Sequence, residues 1–575
     1  MSQLNNNLVN MEKGHSLFEN FIRTLPVPIL KEFVKGSSLQ AVDFKKSNQV
    51  LTTKDLNAIE TAFPLSIEKS ENKILVTNSV LNIKNKRVAV LFSGGPASGG
   101  HNVIVGIKKA LGEHNTLLAT KAGPKGLLAG EFFEITEAMV ASICNTGGFD
   151  FMGSDRTKIK SDEQFDQVKK IVAEYKIDAI IIVGGDDSNT NAAILAELLI
   201  PMGVAVIGVP KTIDGDLQLG DLLPISFGFD TATKIYAEMV GNILQDTASS
   251  LKYWHFVKIM GRAASHVALE TALQTRPAYT IISEEILEKK MSLAQVIEDI
   301  ANTIKIRANQ GINHGLVLIP EGFIEFIPEM RVLLNEMDEI MGHNLDTIST
   351  MDINAKKEFI VSKLSTETRV LYQDLPSSIQ DMLLLERDSH GNLPLSQIPT
   401  EILVIEMVAT YITKLQSSSS KDSLFTTYKF NALNHFFGYE GRCGAPTLFD
   451  AAYCLNLGLI AGSLVLGGHT GYIAAITDLQ NGGVAQAIPL TGLLNIERRH
   501  GQDEFVIEKA LVKLDSPAFE FFVSRRKQWA ENECFASPGP RQLMGSVAKT
   551  LPITVALNRK YENLTFNLGA DTEIK

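Results

Sequence analysis

Two stretches of the chain place acids and a lysine at spacings that suit the handling of a phosphoryl group. One is VGGDDS at 183–188, where Asp186 and Asp187 follow a glycine pair. A single aspartate after such a turn serves as a helix N-cap, favoured over alanine by about 1 kcal/mol. That leaves the second acid without a task, and a magnesium ion held by one carboxylate plus substrate phosphates accounts for it better. The other stretch is VPKTIDGD at 209–216, which holds Lys211, Thr212, Asp214 and Asp216 within six positions. A lysine beside a carboxylate can be a surface ion pair worth under ~1 kcal/mol. At a strand end near a bound phosphate, the aspartate can instead take the proton of an attacking hydroxyl while the lysine neutralises charge on the transferring group.

Further pieces fit the same chemistry. SGGPASGGHN at 93–102 is a glycine turn of the kind that lets backbone N–H groups approach a phosphate, or else a tight turn with no ligand. It lacks the GK[ST] of a Walker A loop and the spacing of GxGxxG, so a nicotinamide enzyme has weak support. Arg262 in KIMGR, Glu321 in IPEG, and Tyr439 with Arg442 in YEGR supply guanidinium and carboxylate groups. Arginine suits bidentate phosphate recognition, and a buried glutamate can accept sugar hydroxyls. Singly each could be a structural salt bridge; together they suit an anionic sugar.

These residues sit where a particular frame would gather them. KRVAVLF, DAIIIVGG, VAVIGVP, WHFVKIM, YTIIS and GLVLIP are short apolar runs, several of them joined by amphipathic helical patterns. That alternation indicates parallel strands covered on both faces, with ligands bound at the strands' carboxyl ends. Every motif above follows such a run. Residues 323–430 read as helical, with a loop at the serine run 417–420, before a second glycine-rich region resumes at FFGYEGRCG and a strand at GYIAAI.

Bulk properties narrow the classes. The 575 residues are 45% hydrophobic and 21% charged, enough for two large cores. A net charge of −11 with no basic stripe argues against nucleic-acid partners. Four cysteines without a CxxC pair suit a reducing compartment. The N-terminus lacks a secretory pattern, and no apolar run approaches the ~20 residues of a membrane span. The cytoplasm is the expected location.

GGDDS, PKTIDGD, MGR, PEG and YEGR, in this order, resemble the phosphofructokinase family, and most closely its long diphosphate-dependent branch. The likeness runs from about Arg87 to SPGP at 537–540 and takes in LLLERDSHGN at 383–392 and ERRHG at 497–501. The resemblance implies an α/β fold of two Rossmann-like parallel-sheet domains, with a helical insertion and an N-terminal extension. It divides the chain into an extension at 1–84 and a phosphoryl-donor domain at 85–225, rejoined by about 436–490. A sugar-phosphate domain follows at 226–435 with an insertion at about 323–430, and a C-terminal segment at 491–575.

The same resemblance implies the roles. Gly95 would give a backbone N–H to diphosphate, and Asp186 would bind Mg2+. Asp214 would be the base that deprotonates the 1-hydroxyl of fructose 6-phosphate, flanked by Thr212 and Ile213. Met260, Gly261, Arg262 and Glu321 would hold the sugar phosphate, with Tyr439, Glu440, Gly441 and Arg442 at its 6-phosphate end. Lys252 and Tyr253 would reach a neighbouring subunit's site, making a homodimer or larger. ATP-dependent relatives usually carry glycine at the places of Asp187 and Lys211. Asp187 would repel a nucleotide's α-phosphate, and Lys211 would stabilise the transition state and departing phosphate. Diphosphate is therefore the expected donor. An ATP-dependent phosphofructokinase and a non-catalytic regulatory subunit are the alternatives; the intact TIDGD loop opposes the second. Ser98, where proline is common, would loosen the glycine turn, and Asp155 would put a carboxylate beside Arg156, a phosphate contact. Trp254 replaces a usual tyrosine.

Overall fold

A computed structural model describes residues 16–36, 38–348, 350–385, 397–419, 423–499, 502–544 and 550–561. Parts of LLLERDSHGN, ERRHG and the serine run lie outside the described residues.

The strands that matter for the frame form where β-branched and apolar residues run together. In chain order they are β1 (Ala41–Val50), β2 (Lys73–Leu81), β3 (Arg87–Ser93), β4 (Thr116–Thr120) and β5 (Phe132–Glu134). Next come β6 (Ala179–Gly184), β7 (Ala205–Thr212), β8 (Trp254–Ile259), β9 (Tyr279–Thr280) and β10 (Gly315–Pro320). The last are β11 (Ala432–Phe437), β12 (Tyr472–Thr477), β13 (Val484–Pro489), β14 (Leu494–Arg499) and β15 (Gln502–Ile507).

The large sheet has the order β1-β2-β13-β12-β7-β6-β3-β4-β5. Its centre, β12-β7-β6-β3-β4, is parallel. The flanks are antiparallel, which differs from the all-parallel expectation. The difference comes largely from residues 1–84: β1 and β2 are sheet strands rather than an appended extension, and they pair through β13 onto the parallel core. The small sheet, β9-β10-β8-β11, is parallel throughout. Helices from Pro328–His343 to Thr400–Ser418 are inserted between β10 and β11. Ser417 and Ser418 belong to the last of these helices, so the expected loop begins later.

Strand alternation separates two layers. Val88, Val90 and Phe92 of β3 pack in one apolar cluster with helix α1 (Gly100–Leu111). Ala89 and Leu91 point to the other face, with helix α2 (Asp186–Leu199). Helix α3 (Leu448–Leu466) lies against α1 so closely that a Cβ on Gly106 or Gly458 would strike the other helix's backbone. Contrary to the sequence expectation, α3 is long and apolar enough to cross a membrane, with 19 residues and mean hydropathy 1.6. All of it is buried inside the protein, so it is a core helix.

Candidate active site

The carboxyl ends of β3, β6, β7, β8, β10 and β11 open onto one cleft of about 470 Å3. Gly95, Asp186, Asp187, Lys211, Thr212, Ile213, Asp214, Met260, Arg262, Glu321, Tyr439 and Arg442 line it. Each sits at the carboxyl end of its strand, in the turn beyond it or in the first turn of the next helix, and this is why motifs spread over some 350 residues of sequence meet. Gly261, Glu440 and Gly441 belong to the same turns without lining the cleft. Lys252 and Tyr253 are not brought here. They sit before the amino end of β8, opposite the strand ends that form the cleft, with Tyr253 41% exposed and held at φ 67°.

At the donor side, β6 stops at Gly184 and α2 begins at Asp186. Gly185 is the N-cap and has no side chain to offer, so neither aspartate serves the capping role allowed for it from sequence. Asn189 instead holds the turn, its side-chain N–H groups donating to the Gly184 and Gly185 carbonyls at 2.7 and 2.9 Å. Ser188 ties α2 to the end of β3 through Ser93 at 2.9 Å. Both acids thus stand in the first turn of α2 and line the cleft. Asp186 Oδ2 is buried and accepts no hydrogen bond from the described residues. Burial raises its carboxyl above the usual range against the pull of Lys509.

Gly95 faces guanidinium groups. A Cβ there would meet the end of the Arg442 side chain and stand 3.6 Å from Arg156 Nη2, so the turn's backbone lies close against both guanidinium groups. Ser98 does not loosen this turn. It is fully buried and donates its hydroxyl to Gly444 O at 2.8 Å, which binds the donor turn to the YEGR turn. The Asp155 carboxylate accepts the Lys125 N–H at 3.2 Å and the Thr157 hydroxyl at 2.5 Å, and Arg156 lines the cleft.

At the end of β7 Lys211 is buried, 3.6 Å from where a Gly94 Cβ would stand. Burial, then the neighbouring Arg442, pushes its ammonium down to about 8. Thr212 donates to Asp216 Oδ1 at 2.8 Å and accepts the Asp214 N–H at 3.0 Å. Burial, then Asp214, raises the Asp216 carboxyl. On the acceptor side, Glu321 is buried with Oε2 unpartnered. Burial, then Asp214, pushes it up to about 7. Arg262 approaches Glu325 at 3.5 Å, and Arg442 lies over the Tyr439 ring at 5.3 Å. Tyr236 steadies that turn by donating to Gly438 O at 2.7 Å.

Sequence reasoning missed two cations. Lys158 lines the cleft and pairs with Glu504 at 3.0 Å. Lys509 enters from the C-terminal segment, near Asp186 and Asp216 at 3.8 and 4.0 Å. Burial alone would lower its ammonium, but Asp186, Asp216, Asp214 and Asp187 hold it above the ordinary lysine value. Neither stands in a glycine motif, so only their sign hinted at a role. Six cations, Arg156, Lys158, Lys211, Arg262, Arg442 and Lys509, thus face five carboxylates in one cleft. Such a site favours a highly anionic ligand with a divalent cation among its acids.

The phosphofructokinase family profile matches residues 87–465. A pyrophosphate–fructose 6-phosphate 1-phosphotransferase of Treponema pallidum is 44% identical over 484 residues, 82% of this chain and 83% of that protein. The beta 2 subunit of the Arabidopsis thaliana enzyme is 44% identical over 503 residues, 85% of each chain. The alpha 2 subunit from the same plant is 33% identical over 553 residues, 92% of this chain and 87% of that one.

Proposed function

The chain belongs to the phosphofructokinase family, and we propose that it transfers a phosphoryl group reversibly from diphosphate to the 1-hydroxyl of fructose 6-phosphate. The products are fructose 1,6-bisphosphate and phosphate. The observation that carries this reading is the meeting of Asp187, Lys211 and Asp214 in one cleft at the strand ends.

Diphosphate lies on the Gly94–Gly95 turn, its oxygens taken by the Gly95 N–H and by Arg156. Asp187 stands where a nucleoside triphosphate would continue, and its charge opposes one. Fructose 6-phosphate lies across the β8, β10 and β11 ends. Arg262 and Glu321 take its hydroxyls, while Tyr439 and Arg442 close on the 6-phosphate. Asp214 accepts the proton of the 1-hydroxyl as that oxygen bonds to the nearer phosphorus. The bridging P–O bond breaks, and the departing phosphate carries its charge to Lys211.

The donor set suits Mg2+: hard carboxylate oxygens, one of them the unpartnered Oδ2 of Asp186. Asp186 would hold the ion, which would supply positive charge against the diphosphate. Lys252 and Tyr253, turned away from this cleft, serve the site of a second copy in a homodimer. The reaction is tested by 31P NMR of purified chain with diphosphate, fructose 6-phosphate and Mg2+. A C1 phosphate ester and inorganic phosphate should grow together; diphosphate consumed with no ester formed would overturn the reading.

A further inference from the structure

Residues 507–512 cross the cleft as a strap pinned at both sides. Ile507 N donates to Thr190 Oγ1 of α2 at 3.1 Å. Ala510 N donates to Asp216 O at 2.7 Å, and its carbonyl accepts His266 Nε2–H at 2.8 Å. Val512 N donates to Glu284 Oε1 at 2.9 Å. The backbone around Lys509 is therefore fixed to the donor helix, the catalytic loop and the acceptor side at once. Only the four-carbon stem of Lys509 is left to move, and its side chain keeps 38% of its exposure.

The ammonium is 3.8 Å from Asp186 Oδ2 and 4.0 Å from Asp216 Oδ2. These distances are those of an ion pair and not of a hydrogen bond. Among the described residues Asp186 Oδ2 has no hydrogen-bond donor. The lysine thus balances two buried carboxylates by charge while leaving the coordinating oxygen open. A divalent cation at Asp186 and the Lys509 ammonium would repel each other strongly at this range. The incoming diphosphate offers the displaced ammonium new negative charge in the same cleft.

We propose that Lys509 is an exchangeable counter-ion of the donor site: it neutralises Asp186 and Asp216 in the empty cleft and turns onto diphosphate when a divalent cation takes Asp186. The inference rests on the diphosphate reading above and adds a donor-binding residue to it. It makes metal and Lys509 competitors in the free protein and partners once diphosphate is present.

The test compares wild-type chain with Lys509→Gln, Lys509→Met and Lys509→Arg. Mn2+ binding to the substrate-free protein is followed by electron paramagnetic resonance, which needs no turnover. Both neutral variants should bind Mn2+ about ten-fold tighter than wild type. In rate assays their KM for diphosphate should rise about ten-fold or more, with KM for fructose 6-phosphate within about two-fold of wild type. Lys509→Arg should restore both values. Unchanged Mn2+ affinity and unchanged diphosphate KM would overturn the proposal. Equal losses for both substrates that arginine does not rescue would assign Lys509 to the strap's structure and overturn it as well. A wild-type chain inactive with diphosphate would instead sink the functional reading, and the Mn2+ titration would still decide the charge exchange.

Discussion

Thr212 donates its hydroxyl to the buried carboxylate of Asp216 at 2.8 Å. The same oxygen accepts the Asp214 N–H, so one threonine sets the curve of the catalytic loop. The two aspartates thereby have different tasks. Asp216 anchors the loop from within, and Asp214 lines the cleft.

Asp214→Asn should lower kcat by about 10²–10⁴, the range of a lost general base, with both KM values nearly unchanged. Steady-state kinetics and thermal unfolding together check this. A large rise in KM at constant kcat would remove Asp214 from the role of base.

Lys211 gives the site a pH dependence with a definite sign. Its ammonium, pushed down to about 8, is charged below that value and neutral above it. Since the charged form receives the phosphate, kcat/KM for diphosphate should fall as pH rises through about 8. Lys211→Arg, charged throughout, should lose this alkaline limb even if its rate is lower. An identical limb in wild type and variant would assign the titration to another group.

Glu321 is the residue whose loss should separate the two substrates. Its buried Oε2 has no hydrogen-bond partner among the described residues, which suits a sugar hydroxyl. Hydrogen bonds to charged groups are worth ~1.5–3 kcal/mol, so Glu321→Gln should cost about 10–100-fold in kcat/KM for fructose 6-phosphate. KM for diphosphate should stay near wild type. Equal effects on both substrates would place Glu321 in the scaffold of the cleft.

A shared site makes a prediction that no single variant can. Lys252→Gln and Asp214→Asn are each expected to be nearly inactive. Mixed and reassembled, hybrid dimers hold one site with both defects and one with neither, so about a quarter of wild-type activity should return. No recovery from mixtures shown to exchange subunits would mean that each chain completes its own site.

Much of the cleft was legible in sequence because turns after parallel strands are short, and a motif's place after an apolar run fixes its place in space. Gly95, Asp186, Lys211, Asp214, Arg262, Glu321 and Arg442 follow that rule. Lys509 does not. It arrives on a strap whose position depends on hydrogen bonds to Thr190, Asp216, His266 and Glu284, partners about 220 to 320 residues away in sequence. Residues 1–84 were opaque for a similar reason: β1 and β2 join the large sheet through β13, a pairing between the chain's opposite ends. Ser98 was misjudged because its value lies in the Gly444 carbonyl it meets rather than in its own turn. Local spacing reports local geometry; it does not report which distant segment closes over it.

The central claim is that Asp187 and Lys211 make diphosphate the donor. The most direct measurement is kcat/KM for diphosphate and for ATP with fructose 6-phosphate and Mg2+, in wild type and in Asp187→Gly. Wild type should use diphosphate at least about a hundred-fold better, and removing the carboxylate should raise the value for ATP. Wild-type turnover with ATP but not with diphosphate would contradict the account.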